Sequence, residues 1–130
     1  MIAQRPAQIL VVDDEAIVRV VCARMLQEAG YRTHQAEDGT AALAFVREAH
    51  ESLDLVVSDV VMPRMNGVEL LDALSVSYPK LPVLLMSGYS IETLRERGIA
   101  APCAILVKPF TPESLLAEVR RCLQPAASPR

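Results

Sequence analysis

Little in this 130-residue chain suits a membrane span, a secreted scaffold or a nucleic-acid surface. No apolar run approaches the roughly 20 residues that cross a bilayer. Met1 to Arg5 is too short, and has no apolar core, to open a secretory signal. Lys and Arg number 13 against 16 Asp and Glu, a net charge of −3 with a pI near 5.4. That leaves no basic stripe of the kind a phosphate backbone requires. Cysteine is scarce and odd in number: Cys22, Cys103 and Cys122 have no C-x-x-C spacing and lie in apolar surroundings. The expectation is three buried reduced thiols in a cytoplasmic protein rather than a disulfide or a zinc site. What is abundant is apolar side chains, 52% against 22% charged, enough for one globular domain with a real core.

Four short runs rich in branched apolar residues punctuate the chain: Ile9-Leu10-Val11-Val12, Leu55-Val56-Val57, Val83-Leu84-Leu85-Met86 and Ile105-Leu106-Val107. Such runs read as strands buried on both faces, the habit of a parallel sheet. A more polar run, Tyr31 to Gln35, reads as an edge strand. Between the strands lie helical stripes: Val18, Cys22, Met25 and Ala29, stopping at Gly30; Ala42, Phe45, Val46 and Ala49, entered through Asp38-Gly39-Thr40; and Val68, Leu71 and Leu74. A short helix is expected from Ser90 to Arg97, closed by Gly98. The last begins at Thr111-Pro112-Glu113-Ser114, with an N-cap Thr, a Pro at the first helical position and an acid in the first turn, and carries Leu115 or Leu116, Val119, Cys122 and Leu123. Five strands alternating with five helices predict a doubly wound α/β sandwich. Periodicity alone leaves the strand order open, 2-1-3-4-5 being one of two common choices. Residues 1–124 form the expected domain, and residues 125–130, rich in Pro, Ala and Ser, a flexible tail.

In an open parallel sheet the ligand site lies beyond the carboxyl ends of the strands. There this sequence places Asp13, Asp14, Asp59, Ser87 and Lys108. Each acid has an ordinary reading, a helix cap for Asp13 or Asp14 and a turn for Asp59. Three neighbouring carboxylates, however, repel by roughly 4 kcal/mol per pair at 4 Å and an effective dielectric of 20. Compensation is therefore required. Hard oxygen donors suit Mg²⁺, and Lys108 offsets part of the charge. The metal either activates a water or assists a carboxylate that itself attacks phosphorus. The second reading is favoured because no histidine lies near these strand ends to act as base: His34 falls in the edge strand and His50 late in the second helix, both read as plain surface or strand histidines.

The wording Ile-Leu-Val-Val-Asp13-Asp14-Glu15, then Asp59-Val-Val-Met-Pro63 with Asn66-Gly67, then Met-Ser87-Gly88-Tyr89, then Val-Lys108-Pro109-Phe110 resembles the response-regulator receiver domain of two-component signalling, from about Gln8 to Leu123. The resemblance implies a flavodoxin-like α/β fold with strand order 2-1-3-4-5. It implies that Asp59 is the phosphoacceptor, taking a phosphoryl group from a phosphohistidine of a histidine kinase or phosphotransfer protein, and catalysing only its own phosphorylation and dephosphorylation. It implies Mg²⁺ (or Mn²⁺) held by Asp14, by Asp13 through water, by Asp59 and by the backbone carbonyl of Val61. Lys108 would pair with the phosphoryl oxygens and Ser87 would swing toward them, drawing the loop Ser87-Gly88-Tyr89-Ser90 with Gly88 as hinge. Pro109 matches a cis-proline position that aims the lysine inward.

The family often has Tyr or Phe three residues before the lysine, as a switch coupled to the hydroxyl residue; here that residue is Ile105, which leaves Tyr89 to move with its loop instead. Val61 offers no group to orient an attacking water, so with Tyr89 it predicts a fairly long-lived phosphate. Standalone regulators and receivers of hybrid kinases both fit, with no direct nucleic-acid or membrane partner, and phosphorylation-dependent homodimerisation is left open. The rivals are an aspartate-nucleophile phosphohydrolase, which would want an acid at Val61 and a cap domain; a flavin mononucleotide carrier, whose phosphate Asp13-Asp14-Glu15 would repel; and a scaffold that kept the fold without the chemistry.

Overall fold

Ile9, Leu10, Val11 and Val12 are all fully buried, although successive side chains of a strand point to opposite faces. Both faces of that strand must therefore be covered. The computed structural model describes residues 5–88 and 102–124. Five strands, β1 (Gln8–Val12), β2 (Arg32–Ala36), β3 (Leu55–Asp59), β4 (Val83–Ser87) and β5 (Ala104–Val107), form one parallel sheet in the order β2-β1-β3-β4-β5. Four helices are described: α1 (Ala16–Glu28), α2 (Gly39–Ala49), α3 (Gly67–Ser77) and α4 (Pro112–Leu123). The helix expected over residues 90–97, Tyr89, Gly98 and the tail 125–130 lie outside the described residues.

Side-chain parity sorts the core into two layers. Leu10, Val12, Val56, Val83 and Leu85 point toward α2 and α3 and pack with Ala42, Val46, Leu70 and Leu74. Ile9, Val11, Leu55, Val57, Leu84 and Met86 point the other way, onto Cys22 and Leu26 of α1 and Leu115 and Val119 of α4. Each buried Leu contributes roughly 1.5–3 kcal/mol relative to exposure, so the strand ends that carry the polar residues are held on a rigid platform. Among the described residues the edge strand β2 pairs only with β1. There His34 contacts Gln8 Oε1 through Nε2 at 2.9 Å and its ring packs on Phe45.

The helix boundaries follow local chemistry. Gly30 takes φ +99° just past α1, a conformation that favours glycine. Thr111 and Ser114 form the capping box of α4, with Pro112 in its first turn. The buried stripe of α1 is Cys22, Ala23 and Leu26, rotated from the expected one, and Ala29 is the exposed C-cap. A four-three spacing fits several adjacent stripes on a helix with many small apolar residues, and packing chooses among them.

Asp38 caps α2 by accepting the Ala41 N–H at 2.8 Å, and its other oxygen accepts from Arg64 Nε at 2.7 Å within an ion pair. Arg64 holds a left-handed φ of +65° in the β3–α3 loop, which aims its guanidinium back at α2. The Ala41 N–H and then the Arg64 hydrogen bond hold the Asp38 carboxyl below its ordinary value of 3.8. Stability from a lowered carboxyl pKa is fully present above the unfolded value and is lost as pH falls through the folded one. Wild type is therefore expected to weaken progressively below pH 3.8. Asp38→Asn, which keeps the cap and loses the charge, should show a shallower decline in urea midpoint over that window; equal slopes would show that Asp38 does not carry it.

The cysteines depart from expectation. Cys103, just before β5, and Cys122, in the last turn of α4, form a disulfide with Cα atoms 5.5 Å apart. Only Cys22 is the buried free thiol foreseen, its pKa pushed up to about 12 by burial. The pair was hidden because its residues stand 19 positions apart, brought together only when α4 folds back over its strand.

Candidate functional site

Strand register assembles the polar rim. Val12 lies beside Ser58, so Asp13, the next residue, falls level with Asp59 at the end of β3. Asp59 pairs with Met86, which puts Ser87 one step further out, and Ser87 pairs with Val107, which puts Lys108 one step beyond that. The Lys108 backbone N–H donates to the Ser87 carbonyl at 2.8 Å and anchors the lysine's start. The Lys108–Pro109 bond is cis, as the resemblance implied.

One carboxylate oxygen from each of Asp13, Asp14 and Asp59 lies within 4.8 Å of the others. Asp13 is fully buried, Asp59 nearly so, and Asp14 is exposed at the mouth. Lys108 Nζ donates to Asp59 Oδ1 at 3.1 Å and lies 4.0 Å from Asp13 Oδ2. Asp59 Oδ1 also accepts the Val60 N–H at 2.9 Å. Among the described residues, Asp59 Oδ2 accepts no hydrogen bond.

Asp13 is the strained member. Its Oδ1 accepts the Glu15 N–H at 2.9 Å, whereas Oδ2 is buried with no hydrogen-bond partner. Burial, with the Asp59 charge adding to it, raises the Asp13 pKa against the lowering effect of that N–H and of Lys108. Neither Asp13 nor Asp14 caps α1; the N-cap is Glu15, without a side-chain hydrogen bond. The helix-cap reading of these acids therefore fails. A buried carboxylate oxygen with nothing to accept from is costly, and a hard cation shared with the neighbouring acids would satisfy it.

Ser87 is buried at the end of β4. The Val61 side chain is exposed, in the loop two residues past Asp59. Ile105 is half-buried and packs against the layer under α2 and α3.

Two features carry more weight than the sequence reading gave them. The Asp38–Arg64 contact ties the β3–α3 loop to α2. Gly67, which opens α3, sits so close behind Asp59 that an added Cβ would clash with the Asp59 carbonyl oxygen and lie 3.0 Å from Val60 Cα. Its N–H also donates to the Val60 carbonyl at 2.9 Å. Gly67→Ala should accordingly cost about 1–3 kcal/mol in denaturant unfolding and displace Asp59. An unchanged midpoint would mean that the loop gives way freely. The Asn66-Gly67 pair before an apolar helix was the available signal, but close approach of a distant backbone leaves no trace in periodicity.

Comparison with known proteins bears on what this rim is. The family model described as response regulator receiver domain matches residues 9–120. The chain belongs to the response-regulator receiver family. This receiver is 38% identical over 119 residues to the sensor kinase CckA of Brucella abortus, covering 91% of this chain and 13% of CckA. It is 38% identical to the response regulator MprA of a Mycobacterium species over 92% of this chain and 51% of MprA. It thus spans about half of one relative and a much smaller share of the other. Among solved structures, the chemotaxis response regulator CheY4 of Vibrio cholerae superposes with a TM-score of 0.82 at 38% identity, over 91% of this chain and 99% of that one. The expected flavodoxin-like architecture and strand order are those observed. Among the described residues no helix is long and apolar enough to cross a membrane.

Proposed function

We propose that this receiver accepts a phosphoryl group on Asp59 from a phosphohistidine of a histidine kinase or phosphotransfer protein, and signals through the change in charge that follows. The observation that carries the reading is the conjunction at one rim of a pinned carboxylate, two further acids and one ammonium group. With Val60 N–H and Lys108 Nζ on Oδ1, Asp59 presents Oδ2 as nucleophile. A lone pair on Oδ2 forms the new O–P bond as the P–N bond breaks, and the departing imidazole keeps that electron pair and takes up a proton. No general base is needed, because a carboxylate, unlike a hydroxyl, has no proton to lose as it attacks.

The donor set fits Mg²⁺ or Mn²⁺, with Asp13, Asp14, Asp59 and the Val61 carbonyl as the groups that would hold it. Bound there, the cation would neutralise charge on the transferring group. Lys108 supplies the protein's own share of that neutralisation, and afterwards pairs with the acyl phosphate. Ser87, at the end of β4, is the hydroxyl placed to turn toward the added oxygens, and residues 88–90 would follow it. Tyr89 would be part of that movement, with Ile105 unable to supply an aromatic gate. A partner surface is at hand on α1, where Ile17, Val20 and Val21 are exposed next to the acids. The unit that folds and switches is residues 1–124, acting in the cytoplasm.

A phosphohydrolase reading gains no support, since the position two beyond Asp59 is an exposed valine with no acid to offer. The test is intact mass after incubation with Mg²⁺ and a small acyl-phosphate donor. One phosphoryl adduct, absent when Mg²⁺ is chelated, supports the reading; no adduct under any condition overturns it.

A further inference from the structure

The disulfide lies at the opposite end of the sheet from the acids. It ties the residue before β5 to the last turn of α4. The ring it closes, Cys103 to Cys122, contains β5, Lys108, Pro109 and all but the final residue of α4. Among the described residues β5 is the sheet's edge and pairs only with β4, so this segment has fewer constraints than the central strands, and a covalent tie matters most there.

The bond is also within reach. Cys103 and Cys122 line an open cavity of about 760 Å³, together with Arg5, Lys80, Arg121 and Asp54. Arg5 is paired with Asp54 and Arg121 with Glu118, whereas no ion pair occupies Lys80 among the described residues. The cavity is within the size range of small-molecule pockets, and its cationic lining favours the thiolate form of an attacking or departing sulfur.

We propose that Cys103–Cys122 is a thiol–disulfide exchange site for a small carboxylate-bearing thiol, and that its redox state sets how firmly the Lys108 segment is held. The thiolate of the first thiol attacks one sulfur and forms a mixed disulfide, and the other cysteine leaves as thiolate and takes up a proton. A second thiol then displaces the protein sulfur. In sum two thiols become one small disulfide, and two electrons and two protons pass to Cys103 and Cys122. A small-molecule disulfide runs the same steps backwards. Cys22, buried with a raised pKa, takes no part.

The coupling to Lys108 rests on the phosphoacceptor reading; the exchange site does not. Four measurements separate them. First, protein purified without reductant should show one free thiol under denaturing conditions, and three after reduction. Three from the outset would overturn the proposal. Second, reduction, or the Cys103→Ser/Cys122→Ser variant, should lower Tm by roughly 10 °C and speed amide exchange across residues 103–123. No change in either would overturn the clamp. Third, per unit of thiolate, mercaptopropionate should reduce the bond several-fold faster than mercaptoethanol, and Lys80→Gln should erase most of that preference. Equal rates would overturn the carboxylate-bearing thiol as substrate. Phosphoryl uptake from the small donor should be several-fold slower in the reduced form. Equal uptake in both forms would overturn the coupling, whereas no uptake in either, with the melting shift intact, would count against the Asp59 reading alone.

Discussion

Asp59→Asn should take up no phosphoryl group under conditions where wild type gains one, a complete loss in the intact-mass spectrum. The amide lacks the carboxylate oxygen that the proposed attack on phosphorus requires, while its size and its hydrogen bond from the Val60 N–H are preserved. The substitution therefore removes chemistry without removing structure. Asp14, exposed at the mouth, is the alternative acceptor that the same spectrum guards against. An adduct persisting in Asp59→Asn and mapping by peptide mass to Asp14 would move the reactive carboxylate from β3 to the loop after β1. Lys108 would then need another role, because its 3.1 Å contact is to Asp59. The variant should keep the wild-type fold, and without metal it should be no less stable, since one of three mutually repelling charges is gone.

The second large effect concerns Asp13. Its Oδ2 is buried without a hydrogen-bond partner beside another carboxylate, with the Lys108 ammonium no nearer than 4.0 Å, an arrangement that destabilises the metal-free fold. Asp13→Asn keeps an oxygen for the Glu15 N–H and replaces the orphaned oxygen with a donor facing the Asp59 charge. In chelator, the variant should be more stable than wild type by about 1–2 kcal/mol, or roughly 5 °C in Tm. Mg²⁺ should reverse the order. Wild type gains about 2.7 kcal/mol at a metal concentration 100 times its dissociation constant, whereas the variant, with one of the carboxylates that would hold the cation gone, gains little. Thermal melts with and without Mg²⁺ decide the matter. Should the variant melt lower in chelator and respond to Mg²⁺ like wild type, Asp13 is a structural acid and the cation sits elsewhere.

Both expectations grow from a site that was largely readable in one dimension. Asp13, Asp59, Ser87 and Lys108 each end or follow a run of branched apolar residues, and parallel strands deliver their carboxyl ends to one rim. The helix signals were equally local: Gly30 at φ +99°, the Thr111–Ser114 box and the acid that caps α2 all act within a few residues.

Other features could not be read that way. The α1 stripe was misplaced because small apolar residues ring that helix, and only the groove it packs into selects Cys22, Ala23 and Leu26. Arg64 was a loop arginine until the fold set Asp38 beside it. Gly67 mattered only once the Asp59 backbone lay against it.

What the order of residues determined by itself was the alternation of elements, their caps and which polar residues follow the strands, because each depends on side-chain period or near-neighbour hydrogen bonding. The tertiary structure alone decided which carboxylate oxygen is left without a hydrogen-bond donor, that Gly67 admits no methyl group, and that Cys103 meets Cys122. Those outcomes depend on distances between segments far apart in the chain, and such distances exist only after packing has closed both faces of the sheet.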